Sequence, residues 1–82
     1  MTRSEKLISR FLSRPKDFSY NELKRLLNGL GYTELQGSGS RVVFSNGKLN
    51  HSIKLHKPHP GRILKQYQID LVINELQSKE LI

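Results

Sequence analysis

The stretch YTELQGSGSRVVFSNGKLNHSIKLH, residues 32–56, decides the fold of this chain. Residues 32–36 predict a short strand, and the glycines and serines of 37–40 predict a flexible turn after it. Residues 41–45 are β-branched and aromatic, and the Asn46-Gly47 pair that follows is the strongest short-range signal for a β-hairpin. Residues 51–56 alternate between polar and apolar side chains, as a half-buried strand does. The stretch therefore predicts three antiparallel strands.

Side-chain alternation separates a core face of these strands from an open face. Lys54 and His56 point away from the apolar residues of their own strand, because successive side chains lie on opposite sides of a sheet. If Phe44 of the preceding strand packs inward, Arg41 points away from the core. His51 shares a face with the apolar residues of its strand, so we expect it to have a packed or strand-end role.

Helical patterns flank the strands. Residues 4–13 predict a short amphipathic helix that ends at Arg14-Pro15, because the residue before a proline is displaced from the α region. Ser19 and Glu22 form a capping box, and Gly31 is placed to end the helix that follows. The apolar face of that helix consists of four leucines at helical spacing, Leu23, Leu26, Leu27 and Leu30. A last helix is predicted over residues 64–79, so the order is α–α–β–β–β–α and the fold class is two-layer α+β.

Composition limits the function classes that this chain can serve. It has 82 residues, which is one small domain (1–82), and no cysteine, which excludes a disulfide scaffold, a thiolate zinc site and a cysteine nucleophile. Its acidic residues are dispersed and the 37–40 turn lacks the lysine of a P-loop, so we expect neither metal catalysis nor nucleotide binding. No apolar run approaches the ~20 residues of a membrane span, and the N-terminus does not resemble a signal peptide. We expect a soluble cytoplasmic domain.

The charge is strongly basic, with 14 Lys and Arg against 7 Asp and Glu and a net charge of +7. Such a balance is typical of nucleic-acid-binding domains, although it also serves to keep a small protein soluble. The helix–three strands–helix order with a basic sheet face is the plan of the double-stranded-RNA-binding domain, which contacts phosphates and 2′-hydroxyls.

Three segments carry a pattern that belongs together: LKRLL at 23–27 with GY at 31–32, GSRVVF at 39–44, and HPGRILK at 59–65. In this order they resemble the HicA family, the small mRNA-interferase toxins of bacterial toxin–antitoxin pairs. The resemblance covers residues from about 19 to about 76, so it divides the chain into a HicA-like core (17–82) and an N-terminal helix extension (1–16). It implies a dsRBD-like fold, RNA as the substrate of a hydrolytic nuclease, no cofactor, and a partner antitoxin of the HicB type.

The chain departs from the family pattern at the catalytic position. The family has a histidine after Gly-Ser, whereas here Ser40 is followed by Arg41. Arginine stays protonated, so Arg41 is a candidate for stabilising the phosphate but not for general-base catalysis. His56 and His59 are the candidate substitutes as acid or base, because a neutral imidazole suits proton transfer near pH 7.

Further candidates for RNA binding lie around these residues. Ser40 adjoins Arg41, and Lys54 shares the open face with His56. Lys57, Arg62 and Lys65 bracket the start of the last helix, where the helix dipole favours a phosphate; a solvated basic loop is the alternative. Two other functions stay open for the whole chain: a non-catalytic RNA-binding module with the same fold, and a protein-interaction domain whose basic face docks an acidic partner.

Overall fold

The computed structural model describes residues 3–58 and 61–82, and it confirms the predicted order of elements. These elements are α1 (Arg3–Leu12), α2 (Tyr20–Gly29), β1 (Thr33–Gln36), β2 (Arg41–Asn46), β3 (His51–His56) and α3 (Gln66–Ser78). The longest described helix, α3, has 13 residues, and no helix in the described ranges has the length and apolar character needed to span a membrane.

The three strands form one antiparallel sheet in the order β1-β2-β3. Leu35 lies opposite Val43 across β1 and β2, and Arg41 lies opposite His56 across β2 and β3. Alternate residues of β2 and β3 are buried in a single hydrophobic cluster with residues of all three helices, whereas the residues between them face outward. The protein is therefore a two-layer α+β fold with one covered and one open sheet face, as the alternation predicts. The sheet contributes Val42, Phe44, Ile53 and Leu55 to the cluster.

The capping signals around α2 are confirmed. The Ser19 hydroxyl oxygen accepts a hydrogen bond from the Glu22 backbone N–H (3.1 Å), and the Glu22 carboxylate accepts one from the Ser19 N–H (3.0 Å). At the other end, Gly31 has φ +98°, a left-handed conformation that glycine adopts without steric cost.

Helix α1 completes the core. Phe11 is fully buried, and its ring centroid lies 4.8 Å from that of Phe18, just before α2. Arg10 forms ion pairs with Asp17 (2.8 Å) and Glu22 (2.7 Å), which join α1 to the start of α2. The described part of the N-terminal extension therefore contributes to the same hydrophobic core as the rest of the fold.

The hairpin loop and the start of the last helix differ from the sequence prediction. Asn46 is the last residue of β2 rather than part of a tight turn, and a four-residue loop (47–50) joins it to β3. The last helix begins at Gln66 instead of residue 64, because Ile63 forms a β-bridge with Ser19 and the Leu64 N–H donates to the Phe18 carbonyl (2.9 Å). Hydrogen bonding to the segment before α2 thus keeps residues 63–64 extended.

Candidate nucleic-acid interface

The open face of the sheet brings together three of the predicted site residues. Arg41 and His56 lie directly opposite each other on β2 and β3, and Lys54 is on the same face, opposite Val43. All three charged or ionisable side chains are exposed, and they border a shallow depression of about 360 Å³. Within the part of the chain that the structure describes, their side chains form no hydrogen bond or ion pair.

The described strand residues of the open face include no acidic side chain. The residues of the three strands that share this face are Thr33, Leu35, Arg41, Val43, Ser45, Ser52, Lys54 and His56. The one acidic residue of the strands, Glu34, lies opposite Phe44 and so faces the helices. A phosphate group approaching the open face therefore meets cations without a competing carboxylate from the sheet.

A second basic surface, which we call the cleft, lies on the helix side of the sheet beside β1. It has a volume of about 340 Å³. Its lining consists of residues from α2, β1 and the segments on either side of 59–60, namely Tyr20, Asn21, Lys24, Glu34, Gln36, Lys57, Pro58, Gly61 and Arg62. Two predicted RNA-binding residues, Lys57 and Arg62, are therefore brought together here.

Main-chain hydrogen bonds hold the backbone in place at Lys57 and Arg62, the two cleft cations that the sequence predicts. The Lys57 N–H donates to the Ser40 carbonyl (2.8 Å), and the Tyr20 N–H donates to the Arg62 carbonyl (2.7 Å). The Lys57 ammonium lies 5.8 Å from the centroid of the Tyr20 ring, which is a cation–π geometry. Ser40 itself is exposed in the turn between β1 and β2, next to Arg41.

Glu34 forms the acidic wall of the cleft. Its carboxylate accepts a hydrogen bond from the Tyr20 hydroxyl, and the Lys24 ammonium lies 3.4 Å from its other oxygen. Burial alone raises the pKa of Glu34, but hydrogen bonds from Tyr20 and Gln36 and the charge of Lys24 outweigh it and leave the pKa below its ordinary value. Burial, and then the hydrogen bond to Glu34 and its charge, raise the pKa of the Tyr20 hydroxyl. Tyr20 is therefore neutral and Glu34 ionised at neutral pH.

Lys65 lies at the start of α3, apart from the residues that line the cleft. It is the N-cap residue, and its N–H donates to the side-chain oxygen of Gln68 (3.0 Å). The Gln68 amide nitrogen donates in turn to the carbonyl of His56 (2.7 Å). This buried glutamine, which sequence analysis missed, attaches the end of β3 to the start of α3.

The remaining two histidines have different positions. His51 lies on the covered side of the sheet, where its ring nitrogens are 2.6 Å from the Tyr32 hydroxyl and 2.6 Å from the Glu75 carboxylate. Burial, with the nearby charge of Glu75, raises the pKa of Tyr32. The contacts of His51 with Tyr32 and Glu75 match the packed or strand-end role expected for it. The candidate His59 lies outside the described residues.

Tyr20, Lys24 and Glu34, which interact with one another at the acidic wall of the cleft, were not predicted as site residues. Lys24 lies within the LKRLL segment that carries the family resemblance, and its membership of that segment was the one feature that could have pointed to a functional role. Nothing in the sequence signals Tyr20 and Glu34, because their contact joins residues 14 positions apart in different elements.

The fold and its two surfaces define a small two-layer α+β protein with a basic sheet face and a basic cleft. Comparison of the chain with protein-family models, with curated proteins and with solved structures gave no match. In the described ranges, no group of three or more His, Asp or Glu side chains is arranged to hold a metal ion.

Proposed function

We propose that this protein is a metal-independent endoribonuclease of the HicA type, an mRNA interferase that acts on single-stranded RNA. The observation that supports the proposal best is the direct cross-strand pairing of Arg41 with His56 on an exposed, basic sheet face. The pairing puts a permanent cation beside the one kind of side chain whose ordinary pKa lies near neutrality. Lys54 adds a second cation to the same face.

Arg41 and His56 have complementary roles in this reaction. The guanidinium of Arg41 binds the scissile phosphate and stabilises the charge that develops on its oxygens. The neutral imidazole of His56 takes the proton from the ribose 2′-hydroxyl as the 2′-oxygen forms a bond to phosphorus. The bond from phosphorus to the 5′-oxygen breaks, and that oxygen takes up a proton, which leaves a 2′,3′-cyclic phosphate and a 5′-hydroxyl. His59, three positions after His56, is the candidate proton donor.

We also propose that a HicB-type antitoxin inhibits the protein by covering the open sheet face in the bacterial cytoplasm. The strand residues of this face are basic or neutral in the described ranges, and such a face favours an acidic or anion-bearing partner by charge complementarity. A small antitoxin gene beside the gene for this chain would support this partner. Expression of the chain alone should arrest growth, and co-expression of the neighbouring protein should restore it.

Cleavage of a labelled single-stranded RNA in the presence of EDTA tests the activity directly. Replacing His56 with alanine should lower the cleavage rate about 10²-fold to 10⁴-fold, the usual contribution of a general acid or base. H59A and R41A are measured in parallel, and K48A serves as the control. Lys48 is an exposed lysine in the loop at the opposite end of the sheet. RNA left intact by the wild-type protein from pH 5 to pH 9 would contradict the proposal.

The second candidate function is RNA binding without cleavage. A specific observation favours it: on the described part of the open face, His56 is the one imidazole beside Arg41, since His51 contacts Tyr32 and Glu75 on the covered side. This function predicts binding that weakens with salt and with R41A, but no cleaved product. R41H separates the two candidates, because a gain of cleavage in an inactive protein shows that only the base was missing.

A further inference from the structure

The cleft and the Arg41–His56 pair lie at the same end of the sheet, on opposite sides of it. Gln36 ends β1 on the cleft side, and Lys57 directly follows His56 along the chain. The turn between β1 and β2 is closed by a hydrogen bond from the Gly37 N–H to the Arg41 carbonyl (2.9 Å). A strand of RNA that passes around this end of the sheet therefore meets both surfaces in succession.

The charges of the cleft favour an anion. Lys24, Lys57 and Arg62 contribute three positive charges against the single negative charge of Glu34. That carboxylate already interacts with Lys24 and Tyr20, so it leaves the other two cations uncompensated. The Arg62 side chain is exposed and makes no hydrogen bond or ion pair with any described residue. The Lys57 ammonium lies over the Tyr20 ring and likewise forms no hydrogen bond or ion pair within the described ranges.

The arrangement of these cations suits a phosphate. They come from three separate segments, α2, the residues after β3 and the residues before α3, and the main-chain bonds of Lys57 and Arg62 hold two of the segments in place. The guanidinium group presents a planar set of donors that matches the oxygens of a phosphate. The volume of about 340 Å³ is at the small end of the range for ligand sites, which fits a single phosphate with its sugar.

We infer that the cleft is a second phosphate site, which binds another phosphodiester of the RNA strand whose scissile phosphate is held by Arg41. The inference rests on the proposed function, since that function supplies the strand. Lys57 and Arg62 bind the phosphate, and Glu34 keeps Lys24 and the Tyr20 hydroxyl in place at the wall of the cleft. The site lengthens the bound segment of RNA beyond the scissile phosphate and makes binding dependent on the number of nucleotides.

Binding of a short, uncleavable oligonucleotide tests the inference apart from activity. The probe is a single-stranded RNA hexamer with 2′-O-methyl groups, and its dissociation constant is measured by fluorescence anisotropy from 50 to 300 mM KCl. R62Q and the double variant K57Q/R62Q remove charges from the cleft, and R41Q removes the charge of Arg41 from the open face. The matched control, K48Q/K79Q, removes the same charge from exposed lysines in the β2–β3 loop and at the end of α3.

The logarithm of the association constant falls linearly with the logarithm of the salt concentration, and each lost phosphate contact on a single strand should make this slope shallower by about 0.7. At 0.1 M salt, a slope difference of about 0.7 corresponds to about fivefold in affinity relative to 1 M salt. K57Q/R62Q removes both ligands of the one phosphate and should therefore weaken binding about fivefold. R62Q should weaken it by a smaller factor, and K48Q/K79Q should stay close to wild type in slope. Shortening the probe to a dinucleotide should remove most of the difference between wild type and R62Q. Thermal unfolding followed by circular dichroism checks that each variant is folded, and the exposed side chain of Arg62 makes R62Q the safest of them.

The outcomes separate the cleft from the proposed function. If R41Q weakens binding but R62Q and K57Q/R62Q behave like the control, the cleft is not a phosphate site and the proposed function stands. If the cleft variants weaken binding and R41Q does not, the second site is supported and the assignment of Arg41 is wrong. No binding of the hexamer by the wild-type protein at 50 mM KCl would overturn both.

Discussion

The replacement of Gln68 by alanine tests how the candidate site is held in place. Gln68 is 4% exposed, and both polar atoms of its side chain are used. Its oxygen accepts from the Lys65 N–H (3.0 Å) and its nitrogen donates to the His56 carbonyl (2.7 Å). The alanine variant leaves one donor at the start of α3 and one acceptor at the end of β3 without their partners.

The expected loss is about 2 kcal/mol in the free energy of unfolding, since each of the two hydrogen bonds contributes about 1 kcal/mol. In a domain of this size, that corresponds to a fall in Tm of roughly 8–16 °C. The control is Gln77, an exposed glutamine of the same helix, for which Q77A should stay within about 0.5 kcal/mol of wild type. Urea unfolding followed by circular dichroism gives both values.

A volume-conserving variant separates hydrogen bonding from packing. Q68M fills nearly the same space but forms neither bond, so it should lose almost as much stability as Q68A. In the RNA assays, both variants should also lower cleavage or binding more than Q77A does, because the His56 carbonyl is no longer attached to α3. If Q68A and Q77A have equal stability, the reasoning that this glutamine attaches α3 to the end of β3 is wrong.

Three further changes test the rest of the structure. Gly31→Ala should cost about 1–2 kcal/mol in urea unfolding, because the residue has φ +98° and an added Cβ would lie 3.1 Å from the Asn46 side-chain nitrogen. Glu34→Gln should destabilise the protein by about 1 kcal/mol at pH 7. Because the folded-state pKa of Glu34 is lowered, its charged form stabilises the fold above pH ~4.5, and the difference from wild type should shrink as a thermal-unfolding series descends towards pH 3. His51→Ala should lower the free energy of unfolding by about 2 kcal/mol, since the variant leaves the buried Tyr32 hydroxyl without its 2.6 Å partner, and differential scanning calorimetry would measure the effect.

The elements were predictable because their signals are local in sequence. The Ser19–Glu22 capping box spans four residues, and both of its hydrogen bonds form where the pattern places them. Alternation assigned Arg41, Lys54 and His56 to the open face for the same reason, since one buried apolar residue determines the orientation of its whole strand. That residue is Phe44 in β2 and Ile53 in β3. Such signals need no knowledge of which elements become neighbours.

The cleft and the Gln68 link could not be predicted, because they depend on contacts between distant elements. Glu34 meets Tyr20 only when β1 packs beside the start of α2, and in the sequence Glu34 is one acidic residue of a short strand. Gln68 lies within an amphipathic helix, where a glutamine is ordinarily solvent-exposed. Its burial follows from the position of the His56 carbonyl, which the helix pattern does not contain.

The pairing of Arg41 with His56 depends on the loop at the far end of the sheet. A two-residue turn at Asn46-Gly47 would place residue 45 opposite 48, and therefore Arg41 opposite residue 52. The observed loop has four residues and places Asn46 opposite His51, which shifts the register by four and brings His56 to Arg41. Because the shift is even, both registers leave the same side chains on the open face, so alternation cannot distinguish between them.

The side chain of Asn46 stabilises the longer loop. Its oxygen accepts from the Leu49 N–H (3.2 Å) inside the loop, and its nitrogen donates to the Leu30 carbonyl (3.2 Å) at the end of α2. Asn50, with φ +49°, completes the loop in a left-handed conformation that asparagine tolerates better than most residues. A buried asparagine at one end of the sheet thus helps to select the partner of the candidate catalytic arginine at the other end.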